Sequence, residues 1–120
     1  MLEEFLGRPK VAAAMAKDWV ICTVDVDRMT HGKVINERLK GDREGGLPWL
    51  AILDAAGKEL ISSNDPKKKG ANIGAPAQPD EIDHFLLMLN QTKQHCTEAD
   101  MTAIEQELRE FAKPYQRPGR

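Results

Sequence analysis

The chain has 120 residues, 17 basic and 19 acidic side chains, 41% hydrophobic and 30% charged content. That length suits one domain, and roughly 65% of the unfolded surface can be buried at this size, so no disulfide or metal staple is required. The formal net charge of −2 and the two cysteines argue against phosphate-driven nucleic-acid binding and against a disulfide framework, and no apolar run approaches the ~20 residues of a membrane span.

The N-terminus, Met1-Leu2-Glu3-Glu4-Phe5, is acidic and too short in apolar residues for a secretory signal, which leaves the cytoplasm as the default compartment. Leu2 to Lys17 reads as helix. Val11 to Ala16 favour it, and Pro9 suits a first-turn position after a break at Gly7, so one long helix or two short ones fit equally. Trp19 to Asp27 is β-branched and apolar on both faces until Asp25, the pattern of a strand covered on both sides. Residues 29–40 form a weaker helix with Val34, Ile35 and Leu39 at usable spacing, and Gly41 to Gly46 is a loop by composition. Pro48 to Leu53 is a second strand. Asp54-Ala55-Ala56-Gly57 turns it back, and Lys58 to Ser63 returns as its antiparallel partner.

Asn64 to Gln78 has no periodicity, carries Pro66, Gly70, Gly74 and Pro76, and reads as a surface loop. Pro79 then opens a helix with Asp80 and Glu81 in its first turn and Ile82, Phe85, Leu86 and Leu89 as its buried stripe. Thr97 to Asp100 resembles a capping box with Asp in place of Glu. The helix it starts faces inward with Met101, Ile104, Leu108 and Phe111 and is ended by Pro114 and Pro118. The order is α-β-α-β-β-α-α, an α/β class of fold without repeats or a linker between domains.

In that order the chain resembles the thioredoxin-like superfamily. A strand ends in Asp25-Val26-Asp27. A helix and a Gly-rich loop lead to Gly46-Leu47-Pro48-Trp49, which looks like the segment that carries the family's cis-proline. Leu50 to Lys58 looks like the hydrophobic strand and D-x-x-G hairpin that follow it. The match covers about residues 5–95 of a single domain, and the helix at 97–113 is an extra C-terminal extension. The resemblance implies a thioredoxin-like fold truncated at its N-terminus, because the family's first strand and its CxxC motif are absent and the chain begins inside what would be the first helix. It carries over no catalytic residue. It implies a peptide- or partner-binding edge at Leu47, Pro48 and Trp49, with a cis bond before Pro48 leaving backbone free for β-type pairing.

The missing strand lies centrally in the family's minimal fold, between the strands equivalent to 19–26 and 48–53. Its loss leaves rows of backbone donors and acceptors unpaired. The two flanking strands close on each other, or a second copy fills the gap in a homodimer or domain swap, or the chain is a fragment of a longer product. Self-association or repacking is the expectation, with a dimer favoured. The functional expectation is a non-catalytic binding or assembly module that needs no cofactor. The alternatives are a fragment of a thiol-disulfide oxidoreductase whose catalytic N-terminus lies elsewhere, or unrelated chemistry on a reused α/β scaffold.

The other reactive residues have plainer roles. Cys22, mid-strand, reads as a buried, inert thiol. Cys96 stands at the staple position before Thr97, with Met101 as its apolar partner. Trp49 suits core packing over groove lining. Asp80 and His84 form an i,i+4 helix-surface pair, and His95-Cys96 offers at most two ligands, short of what zinc needs. Asp25 and Asp27 share one side of an extended strand, but Asp27 fits better as a turn or cap residue. Lys67-Lys68-Lys69-Gly70 is a solvated loop, and residues 70–74 lack the signature of a phosphate loop. No metal site is expected.

Overall fold

A computed structural model describes residues 2–43, 46 and 48–116. The helix expected over Leu2 to Lys17 is two, α1 (Leu2–Leu6) and α2 (Pro9–Met15). Glu3 and Glu4 occupy the first turn of α1, where the free N–H groups favour acidic side chains. Pro9 opens α2 at its first turn, where a missing N–H costs nothing. Phe5, Val11, Ala14 and Met15 turn inward from this pair.

They meet α4 (Pro79–Thr92) and α5 (Glu98–Ala112). The expected stripe on α4 is buried, and Met88 and His84 are buried with it. The helix expected as a C-terminal extension supplies Met101, Ile104, Leu108 and Ala112 to the same core, with Phe111 packed at its margin. Phe5 stands edge-on to Phe85, ring centroids 6.3 Å apart and planes at 77°, a favoured aromatic geometry. Both long helices begin on capping boxes, Gln78 with Glu81 and Thr97 with Asp100. Cys96 and Met101 are buried in the core as the staple reading requires. A 3-10 turn at Lys113–Tyr115, with Pro114 inside it, ends the helical run. Pro118 lies outside the described residues.

The hairpin forms as read, though its first strand is shorter: β1 (Ala51–Leu53) pairs antiparallel with β2 (Glu59–Ser62), with an irregularity between Ile52 and Leu53. Asp54 builds the turn, its Oδ1 accepting the backbone N–H groups of Ala56 and Lys58, both at 2.9 Å. Gly57 takes φ +86°. Helix α3 (Gly32–Lys40) starts later than expected because Val26 to His31 is spent on turns. Gly32 is buried against that turn, and a Cβ there would overlap the Asp25 carbonyl oxygen.

Two of the expected elements fail. Trp19 to Asp27 forms no strand. Val20 is 97% exposed, and among the described residues the backbone from Val20 to Val24 enters no hydrogen bond. A β-branched run reflects fitness for a half-buried pleated surface rather than an intrinsic backbone state, and here no strand lies alongside to supply that surface. Cys22 is therefore exposed rather than buried. The strand that the resemblance requires at this place is missing, and the flanking strands do not close into a three-stranded sheet. Asp25 and Asp27 do not share a strand face either. The Asp25 Oδ1 accepts the N–H groups of Asp27 and Arg28, both at 3.0 Å, so Asp25 caps the turn in place of Asp27.

The second failure is the supposed surface loop. It contains a small ladder, β3 (Asn64–Asp65) with β4 (Ala71–Asn72), joined through a 3-10 turn at Pro66–Lys68. It buries Asp65, Ile73, Pro76 and Ala77. Side-chain hydrogen bonds shape this segment, and those leave no hydrophobic period to read. The result is a mixed α/β architecture with two separate two-stranded antiparallel ladders among the described residues.

Candidate functional site

The expected binding edge lies where the 41–48 loop enters β1. Leu47 falls outside the described residues. Pro48 is exposed and Trp49 half-buried. Trp49 neither sinks into the core nor stands free. Its Nε1 donates to Asn64 Oδ1 at 2.7 Å, and the Arg43 guanidinium lies 4.8 Å from its ring centroid, a cation–π arrangement.

Arg43 is held by a bidentate pair with Glu59, at 2.8 and 2.7 Å. It also donates to the carbonyl oxygens of Leu39 and Lys40 at the end of α3. The hydrogen bonds to Glu59 raise the Arg43 pKa, and those from Arg43 lower that of Glu59, against the opposing pull of partial burial. One side chain thus joins α3, β2 and the Trp49 ring.

Beneath Pro48 is a polar network that sequence reading missed. Ser63 is fully buried. Its Oγ accepts from the Leu50 N–H at 2.9 Å and donates to Asn72 Oδ1 at 2.6 Å. Asn72 Nδ2 donates to the carbonyl oxygens of Gly46 and Pro48, at 3.0 and 3.1 Å, and Asn72 Oδ1 accepts the Gly74 N–H at 3.1 Å. Gly74 sits at φ +63° with the Pro48 carbonyl oxygen close to its missing Cβ. Asn64 extends the network to the Gly70 carbonyl at 2.8 Å. The two asparagines flanking a Gly- and Lys-rich segment were the available signal.

A hollow of about 210 Å³ opens on the β1–β2 hairpin, lined by Trp19, Ile52, Leu53, Leu60 and Thr92 among others. Trp19 is fixed there by its Nε1, which donates to Thr92 Oγ1 at 3.0 Å.

The expected Asp80–His84 surface pair does not form. His84 is buried, its Nε2 lying 2.9 Å from the Ser62 carbonyl and its Nδ1 3.6 Å from Asp65 Oδ1. The 64–72 ladder folds over that helix face, and Asp80 pairs instead with Lys68. That contact lowers the Asp80 pKa and raises that of Lys68. These groups line a second hollow of about 350 Å³ with Lys67 and Asp83.

The two thiols are unpaired with each other. Cys96 donates to the Ala14 carbonyl at 3.2 Å. Burial first, and the neighbouring Asp18 carboxylate next, push its thiol up to about 11. Such a thiol is a poor nucleophile. His31 takes a left-handed conformation, φ 63°, before α3, and His95 is exposed. Among the described residues no group of three or more His, Cys, Asp or Glu side chains is placed to hold a metal ion, and no helix is long and apolar enough to cross a membrane. No family model, no curated protein and no solved structure matches the chain.

Proposed function

We propose that the chain is a thioredoxin-like module without redox chemistry, which presents the Leu47-Pro48-Trp49 edge to an extended peptide or protein segment. The observation that carries this reading is the way Pro48 to Leu50 is held. Its backbone is bonded by the side chains of Ser63 and Asn72, while among the described residues β1 pairs with β2 alone. Among the described residues no further strand pairs with the outer edge of β1, and an open, preorganised edge is what strand addition uses. Trp49, gripped by Asn64 and Arg43, supplies a fixed aromatic surface beside it. The hairpin after the proline and the absence of a CxxC support the thioredoxin-like, non-catalytic part of the reading. The inert, buried Cys96 and its distance in sequence from Cys22 agree with it.

The test is selection from a random extended-peptide library, followed by titration calorimetry of the winners. Wild-type protein is expected to select peptides, and Trp49→Ala to weaken them at least tenfold. Peptides that bind Trp49→Ala equally well would remove the edge from consideration. An insulin-reduction assay on the same chain is expected to stay at its protein-free baseline. Reduction above that baseline would contradict the non-redox reading.

A further inference from the structure

The chain carries two backbone segments with the same deficiency. Among the described residues the Val20–Val24 backbone has no hydrogen-bond partner, and the outer edge of β1 has no strand beside it. Their side chains share the deficiency. Val20 is 97% and Ile21 51% exposed on the first segment and Leu53 37% on β1, while Leu60, on the paired strand β2, is 52% exposed. We propose that Val20–Val24 of a second copy adds as a strand to the open edge of β1, and reciprocally, in a twofold-symmetric dimer. This rests on the open edge of the preceding section and names its occupant.

Three observations favour a second copy. The first is that the Val20–Val24 run forms an arch held at both ends. Asp18 accepts the backbone N–H groups of His95 and Cys96, each at 2.8 Å, and Trp19 is bonded to Thr92. At the far end Asp25 caps the turn on which Gly32 packs. Between these anchors the run projects into water, so its own β1 leaves it unpaired, while its ordering for a neighbour costs little.

The second is charge. No charged residue lies between Asp18 and Asp25 or between Trp49 and Asp54, so nothing along either edge repels its partner. Natural edges are usually guarded by charges, prolines or bulges. Here Pro48 and the irregularity at Ile52/Leu53 bound the edge but leave Leu50 to Ile52 as a regular stretch.

The third is continuity and size. Trp19, the root of the arch, lines the same hollow as Ile52, Leu53 and Leu60. Twofold symmetry therefore brings two arches and two hairpins into one contact and counts every pairing twice. The regular edge open to the incoming strand, Leu50 to Ile52, is about 10 Å long, and a stable dimer needs about 800 Å² per partner. The doubling gives the dimer two such pairings rather than one.

Light scattering across a concentration series, with hydrogen exchange and Cys22 alkylation on the same samples, tests the proposal. A dimer is expected at high concentration, with the Val20–Val24 amides protected and Cys22 labelling slowed at least tenfold. Thr23→Pro removes a donor in mid-run, outside the core, and is expected to restore a monomer with unchanged far-UV circular dichroism. Val20→Glu serves the same purpose without touching the backbone. A monomer at every concentration overturns the proposal, as does a dimer that both variants leave intact. If the monomer still selects peptides that need Trp49, the exchange falls and the binding edge survives. If the dimer forms while Trp49→Ala binds peptides normally, the reverse holds.

Discussion

Asp18 joins the end of α2 to the start of α5, through the backbone N–H groups of His95 and Cys96. Desolvation acts to raise its carboxyl pKa. The N–H groups of Cys96, His95 and Gln94 outweigh it and hold the group down at about 2. An unfolded aspartate titrates near 3.9. The folded value is the lower one, so the stabilisation is complete well above pH ~4 and vanishes as pH falls through about 2. Asp18→Ala is accordingly expected to lower the urea midpoint by a constant amount above pH ~5. That gap should close between pH ~4 and about 2. A gap independent of pH would show that the carboxylate charge is not what matters. Nothing in the sequence pairs Asp18 with His95, because the contact spans 77 residues and leaves no local pattern.

At the level of elements, legibility followed locality. The capping box at Thr97, the proline starts of α2 and α4, and the Asp54 turn are each complete within a few residues, and each forms where it was read. Thr97→Ala is expected to cost about 1 kcal/mol of stability, measured by urea unfolding, because α5 delivers four buried residues to the core. A Ser at the same position should recover most of it. The strand at Trp19 to Asp27 failed for the opposite reason. Strand formation requires a neighbour, and the composition of one run does not say whether a neighbour exists. The site was legible only in part. Pro48 and Trp49 were named from the motif, while Arg43, Ser63, Asn64 and Asn72, which hold them, act through contacts between distant residues.

At the scale of the whole molecule, burial is uneven. The core residues come from Phe5 to Met15 and from Ser62 to Ala112. Between Ala16 and Ile61 only Gly32 is buried among the described residues. Regions with few buried contacts open at lower free energy than the core. Hydrogen exchange at concentrations where the chain is monomeric is expected to show residues 20–43 exchanging by local opening. Amides in α4 and α5 should exchange only with global unfolding. Uniform protection across both regions would contradict this division. Early proteolytic cuts should fall in the same 20–43 stretch.

The two indoles sit in different surroundings, and that makes them separate optical reporters. Trp19 is bonded to the end of α4 and packs against the core, whereas Trp49 is bonded to Asn64 under a guanidinium on the hairpin side. The protein holds no other tryptophan. Trp19 therefore reports on the end of α4 and Trp49 on the hairpin side, and replacing one with Phe leaves the emission of the other to follow its own surroundings.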